Sequence, residues 1–388
     1  MQREACEGTN WQRDANGEWF KDGIQLNPAR DYKYTTIGLN LRNTSIINDV
    51  HWTYGIEAFE SKQEVVAHGL QTIRPLNGSE TIADLNVSNG PESTLASGYV
   101  QASYTFGQVE LIPGLRYDHY TLGGAYDSSF SQLSPKFSAL WSATNELGLR
   151  LGYGRIFKGP GLPETLMLNS DVKQGNDVNA ETGNHFEFNV NYDLSDSVGL
   201  DSATAFLNVY QFNIDNYFHP TKNLTLSSNS EIENKGFETG FNISHADIGG
   251  YLNWSFVDGT RDYGSYQSDV LTTGTHLIKL GLSYDLSSYL TLGWDSEFAT
   301  SADLVEVAEN RSGVVETTPV KKAGYGVSDL WVRYAPTQVQ GLKVNFGIDN
   351  IFDKDYQNHN TFGNYWGNAK YNDSEVGRNF KLTLSYQY

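Results

Sequence analysis

The last nine residues, Phe380-Lys381-Leu382-Thr383-Leu384-Ser385-Tyr386-Gln387-Tyr388, alternate apolar and polar side chains without a break. Successive side chains of a strand point to opposite faces. Phe380, Leu382, Leu384, Tyr386 and Tyr388 therefore share one face, and Lys381, Thr383, Ser385 and Gln387 share the other. A soluble sheet has no reason to end on such a strand. A transmembrane β-barrel does, because its closing strand faces lipid on one side and sets an aromatic ring at the membrane interface.

The rest of the chain follows the same pattern. Apolar residues fall in phase in Ile37, Leu39 and Leu41, then in Val50, Trp52, Tyr54, Ile56 and Ala58. They do so again in Val109, Leu111, Pro113 and Leu115, in Leu147, Leu149, Leu151 and Tyr153, and in Ile278, Leu280, Leu282 and Tyr284. The alternation predicts about fifteen strands of roughly 9–12 residues, the length that crosses a bilayer when tilted. Their connections are sorted. Short turns are expected near 43–48, 107, 144–146, 195–198, 246–249, 286–288 and 336–340. Long loops are expected near 61–94, 119–131, 157–184, 216–230, 259–275, 301–326 and 352–378. Outer-membrane barrels pair short periplasmic turns with long extracellular loops in this way. The predicted fold class is all-β, an antiparallel transmembrane β-barrel, with residues 32–388 as the barrel and residues 1–31 as an extracellular loop or incomplete upstream strand region.

Composition fits this reading. No apolar run of about 18 residues is present, which excludes a membrane-spanning helix but not a barrel, whose lumen-facing residues dilute the hydropathy. Aromatics reach 13%, with 24 Tyr and 8 Trp, as aromatic girdles require. A soluble propeller or a sugar-binding sandwich would share that composition, but not the sorting of the connections. The net charge of −19 speaks against nucleic acid as a partner, since phosphate binding needs a basic surface. Cys6 is the single cysteine, so no disulfide forms within the chain. The first eight residues have no apolar core and do not read as a signal peptide. The first and last predicted strands run the same way, which a closed antiparallel barrel does not allow. Both points lead to the expectation that the chain is a fragment lacking upstream strands.

No catalytic constellation stands out. Gly152-Tyr153-Gly154 lies in a strand, the eight His show no metal-ligand spacing, and neither a nucleophile elbow nor a phosphate loop is present. The chain is not expected to be an enzyme. Asp303, Glu306 and Glu309, three apart in a predicted loop, suit either a bound cation or a solvated charge run.

Three stretches carry a resemblance. Phe346-Gly347-Ile348-Asp349-Asn350-Ile351-Phe352-Asp353-Lys354-Asp355-Tyr356, followed by Gly377-Arg378-Asn379-Phe380, is similar to the C-terminal signature of the TonB-dependent outer-membrane receptors. Phe157-Lys158-Gly159-Pro160-Gly161-Leu162-Pro163-Glu164-Thr165 resembles the "FRAP" box of the haem and haemoglobin receptors within that family. Gly175-Asn176-Asp177-Val178-Asn179-Ala180-Glu181-Thr182 resembles their "NPNL" box, best at Glu181-Thr182. A weaker similarity covers Tyr34-Thr35-Thr36 to Asn43-Thr44-Ser45 and Trp52-Thr53-Tyr54-Gly55. The resemblance spans about residues 32–388.

The resemblance implies a bacterial outer-membrane location and a 22-strand barrel of which this chain holds the last fifteen. The plug domain and the TonB-contacting N-terminal region would be absent. The implied ligand is haem, or haem from a carrier protein, carried as cargo rather than as a prosthetic group. A ferric siderophore and a passive porin-like channel are the alternatives, and the outer-membrane lipid is the remaining partner. The resemblance points to Phe157, Lys158, Pro160, Asp177 and Glu181 as ligand-binding positions. The family's ligating His lies between the two boxes, where this sequence has none and Met167 is the only conventional haem ligand. Among the other His predicted on the extracellular side (His68, His119, His185, His219, His276 and His359), His219 is the first choice for the haem iron. It stands beside Tyr217 and Phe218, whose rings suit stacking on a porphyrin.

Overall fold

The computed structural model describes residues 11–13, 19–21, 24–26, 29–68, 70–73, 81–84, 91–123, 128–162, 179–220, 226–309, 314–360 and 374–387. Side chains are described within 32–64, 91–123, 128–162, 179–218, 230–307, 314–360 and 374–387. The structure is almost entirely strand. A small antiparallel sheet joins β1 (Trp11–Arg13), β2 (Trp19–Lys21), β3 (Ile24–Leu26), β6 (Leu70–Ile73) and β7 (Thr81–Asp84).

The main sheet is a single antiparallel meander. It starts with β4 (Ala29–Ile47), β5 (Val50–His68), β8 (Glu92–Phe106), β9 (Val109–Gly123) and β10 (Ser128–Ser142). It continues through β11 (Leu147–Lys158), β12 (Glu181–Asp193), β13 (Ser202–Pro220), β14 (Leu226–His245), β15 (Ile248–Asp262) and β17 (His276–Ser287). It ends with β18 (Leu290–Ala299), β21 (Tyr325–Tyr334), β22 (Leu342–Asp349) and β23 (Asn379–Tyr386), and β16 (Gln267–Asp269) pairs with β15 off this path. The path holds the fifteen strands that the alternation predicts. The sheet is not closed: β4 and β23 each pair with one neighbour.

The connections sort only in part as the sequence predicts: in the stretch expected as a loop at 119–131 only 124–127 separate β9 from β10, and in that at 216–230 only 221–225 separate β13 from β14. At one end, Gly107 turns the chain with φ +58, and a one-turn helix, α1 (Ser195–Val198), sits where the Ser195-Asp196-Ser197 turn was expected. The first reversal differs in place. The sequence put a link at Asn43–Ser45, but β4 runs through it to Ile47 and the chain turns at Asn48-Asp49. Both residues have positive φ (48° and 64°), the two-residue hairpin geometry that Asn and Asp tolerate better than most residues. At the opposite rim, several strands outrun the span a bilayer needs: β4, β5 and β13 have 19 residues and β14 has 20. The stretch expected as a loop from 61 to 94 thus carries the end of β5 together with β6 and β7.

The stretch expected as a loop at 301–326 is also largely a hairpin, β19 (Ala302–Glu309) and β20 (Val315–Lys322). Asp303, Glu306 and Glu309 therefore lie on a strand, where a spacing of three sends neighbours to opposite faces. Asp303 pairs with Lys321 at 3.8 Å, and burial raises the pKa of Glu306. The hairpin has its own small core of Ala302, Leu304 and Val320, against which Leu271 packs.

Burial is inverted relative to a globular sheet. The in-phase apolar residues face outward: Ile37 is 70% exposed and Leu382 65%. The other face carries ion pairs between neighbouring strands, such as Arg150–Glu187 at 3.1 Å and Lys279–Glu297 at 2.9 Å. Lys381 pairs with Asp349 on the same face. An apolar exterior over a charged interior is what a barrel wall in lipid requires. No described helix is long and apolar enough to cross a membrane.

Candidate functional site

The two sequence boxes meet at the long-loop rim. Lys158 ends β11, Glu181 starts β12, and they face each other as Cα partners at the base of the hairpin closed by 159–180. The Lys158 ammonium lies 3.2 Å from one carboxylate oxygen of Glu181. The other oxygen accepts the backbone N–H of Phe218 at 3.0 Å. Glu181 is buried, so its charge needs both partners.

The third strand is bent to reach them. β13 shifts register between Ile214 and Tyr217 and again between Tyr217 and His219. Asn216 takes a left-handed φ of 57°, and its side-chain amide donates to the Ala180 carbonyl at 3.3 Å. A bulge of this kind re-aims the side chains that follow it. Phe218 turns inward under the Lys158 ammonium, 5.9 Å from its ring centre. Tyr217 turns toward β15, where the Arg261 guanidinium stacks 4.7 Å over its ring. The Tyr217 carbonyl accepts the Ser230 hydroxyl at 3.0 Å.

Below the bracket, Phe157 packs against Tyr120, Leu122 and Leu162. Pro160 is fully buried, and its carbonyl accepts the Tyr120 hydroxyl. Gly159 lies flat on the Tyr120 ring, where a Cβ would fall 2.4 Å from Cδ1, so no other residue fits without displacing it.

The structure thus brings Phe157, Lys158, Pro160, Glu181, Tyr217 and Phe218 to one sector of the rim. Phe157, Pro160, Glu181 and Phe218 anchor the loop bases there, while Lys158 and Tyr217 keep surface toward the rim. His219 follows on β13, opposite Ser227, and its side chain lies outside the described residues. Asp177 and Met167 also lie outside them. His119 bonds Ser131 at 2.8 Å, and His276 stacks on Phe256 at 4.4 Å and accepts the Trp254 indole N–H at 3.2 Å. His359 is buried: its Nε2 donates to the Ala323 carbonyl at 2.9 Å, its Nδ1 has no partner, and burial lowers its pKa. Among the described residues, no three His, Cys, Asp or Glu side chains converge on a metal position.

Sequence reasoning missed Arg261, whose stacking depends on the bulge in β13. It missed, too, the stacked Tyr263 and Tyr266 (4.6 Å), with Arg261 donating to the Tyr263 hydroxyl at 3.2 Å. The polar phase of the strands held a further signal. Glu57, Arg116 and Asp118 all fall opposite the apolar phase, and they form one network. Arg116 reaches Glu57 and Asp118 at 2.8 Å each, and the Ser97 hydroxyl donates to Asp118 at 2.6 Å.

Residues 5–351 match the family model described as TonB dependent receptor-like, beta-barrel. The chain is similar to "Heme/hemopexin utilization protein C" of Haemophilus influenzae, with 24% identity over 388 residues, covering 92% of this chain and 51% of the relative. It is similar to "TonB-dependent heme receptor A" of the same species, with 22% identity over 425 residues, covering 92% and 53%. Among solved structures, the FrpB iron transporter from Neisseria meningitidis superposes with a TM-score of 0.72 at 18% identity, over 92% of this chain and 55% of that one. The chain spans about half the length of the curated relatives it matches.

Proposed function

Because this chain belongs to the TonB-dependent receptor-like β-barrel family of the bacterial outer membrane, we propose that it forms part of the wall of a receptor that takes up haem, or haem from a carrier protein. The energy would come through TonB, in contact with a part of the receptor that this chain does not span. Relatives named for haem support the ligand class. The observation that carries the reading is the rim bracket. Glu181 ties the base of the 159–180 loop to Phe218, and His219 follows directly on the bulged strand.

In this reading no covalent bond is made or broken. Tyr217 offers a flat ring whose polarity is set by Arg261 beneath the loops, and His219 offers an imidazole for the iron. Lys158 carries a cation for an anionic ligand edge, tempered by Glu181.

The test is haemin titration followed at the Soret band, with a ferric siderophore titrated in parallel. Saturable haemin binding that His219→Ala weakens roughly tenfold or more, about 1.4 kcal/mol, is expected. Unchanged haemin binding in the variant would remove His219 from the site. Siderophore binding without a Soret change would replace haem as the ligand.

A further inference from the structure

A row of side chains on the inner face of the wall, away from the rim bracket, has no role so far. One rung crosses five strands in continuous register: Arg42 on β4, Gly55 on β5, Tyr99 on β8, Arg116 on β9 and Ser134 on β10. All five fall in the phase opposite the outward apolar residues. Arg42, Tyr99, Arg116 and Ser134 of the row, with Glu57 and Lys136, line a cavity of about 350 Å³, within the range of small-ligand sites. Two glycines make room for it. A Cβ at Gly55 would fall 2.6 Å from the Tyr99 hydroxyl, and one at Gly114 would fall 2.6 Å from Cε of Lys136.

The charges in the row do not balance locally. Arg116 is matched by Glu57 and Asp118 and lies 5.9 Å over the Tyr99 ring. Arg42 and Lys136 have no ion-pair partner among the described residues. Ser134 adds a second, independent observation. It is 7% exposed, and its buried hydroxyl oxygen has no hydrogen-bond partner. Buried polar atoms are satisfied as a rule, so an unpaired hydroxyl in a cavity that two unpaired cations also line marks a place for an anionic acceptor.

We propose that this rung is a carboxylate-binding station on the lumen wall, used by the transported ligand after it leaves the rim. The inference rests on the haem reading above and deepens it. The Arg42 guanidinium and the Lys136 ammonium bind the ligand's carboxylates, the Ser134 hydroxyl donates to one of them, and Tyr99 offers its ring face to the flat body beside them. A porphyrin with propionate side chains has that chemistry.

The test compares haemin with its dimethyl ester, in which both propionates are uncharged, on the full chain in detergent. Wild type is expected to bind haemin roughly tenfold or more tighter than the ester. The double variant Arg42→Gln, Lys136→Gln is expected to bring that ratio close to one while leaving ester affinity unchanged. Arg42→Lys with Lys136→Arg, which keeps both charges, should restore most of it. An unchanged ratio in the Gln variant overturns the station, and ester binding in the same experiment leaves the haem reading standing. The ratio staying fixed while heat resistance falls also overturns it, since the cations would then serve packing or another acidic segment. If neither porphyrin binds wild type, ferric citrate separates the two ideas. Citrate binding that the Gln variant loses keeps a carboxylate station without haem, and no citrate binding overturns both.

Discussion

Glu181 carries more of the rim than any other single side chain. It is buried, yet it holds a cation on one oxygen and a backbone N–H of another strand on the other. Glu181→Gln keeps an acceptor for Phe218 and removes the charge. Lys158 is 53% exposed and can turn to water, so the cost is expected to be about 1 kcal/mol. Glu181→Ala leaves the Phe218 N–H without its acceptor and should cost roughly 2–3 kcal/mol. Amide hydrogen exchange at Phe218 measures both, and equal protection in the two variants would refute the bracket. Glu181, Lys158 and Phe157 were legible in the sequence because each sits in a recognisable stretch next to a strand end. That Glu181 holds Phe218 was not legible. The contact exists only because Asn216 adopts a left-handed backbone, and nothing in the alternation of β13 marks that residue.

At the scale of elements, the β19–β20 hairpin was the least legible. Val305 and Val307 flank Glu306, but Leu304 and Ala308 on either side are apolar and break the alternation, and the partner strand contains Pro319. What stabilises the hairpin is tertiary. The Val305 N–H reaches Asp269 at 2.6 Å, the Val307 N–H reaches Ser268 at 3.1 Å, and the Lys322 ammonium donates to the Thr273 carbonyl at 2.9 Å. Burial pushes the Lys322 pKa down from 10.5 to about 8. An undocked hairpin keeps the proton up to about pH 10.5, whereas the docked one releases it above about 8. Docking is therefore expected to tighten as pH rises from about 8 to 10.5 and to be flat below 8. Protease cleavage of the hairpin should slow over that window. Lys322→Met should abolish the pH dependence, and a slope that persists in the variant would assign it to another group.

For the whole molecule, the sequence told more than it did for any part. The fifteen strands and their alternation followed from a period of two and the placement of turn residues, whereas the connections expected at 119–131 and 216–230 are far shorter, because β9, β10, β13 and β14 run on into them. That pattern is repeated often enough to survive errors of several residues at any one strand end. The faces are tested directly on β15, where Leu252 points outward at 48% exposure and Asn253 points to the other side. Leu252→Arg is expected to cost roughly 2–4 kcal/mol in a bilayer, and Asn253→Arg much less. Folding yield into lipid vesicles against urea reads the difference, and equal losses would reverse the assigned faces.

The hairpin of β19 and β20 also bears on how such a chain changes over generations. Its core of Ala302, Leu304 and Val320 meets the rest of the chain at Leu271, its outside hydrogen bonds go to Ser268, Asp269 and Thr273, and its strands pair only with each other. Mutations there need satisfy only a handful of neighbours, while those in the wall must suit two flanking strands and the lipid at once. Selection by antibodies or phages at the cell surface would find its least constrained raw material in this hairpin, and the wall behind it could stay unchanged while the hairpin diversifies.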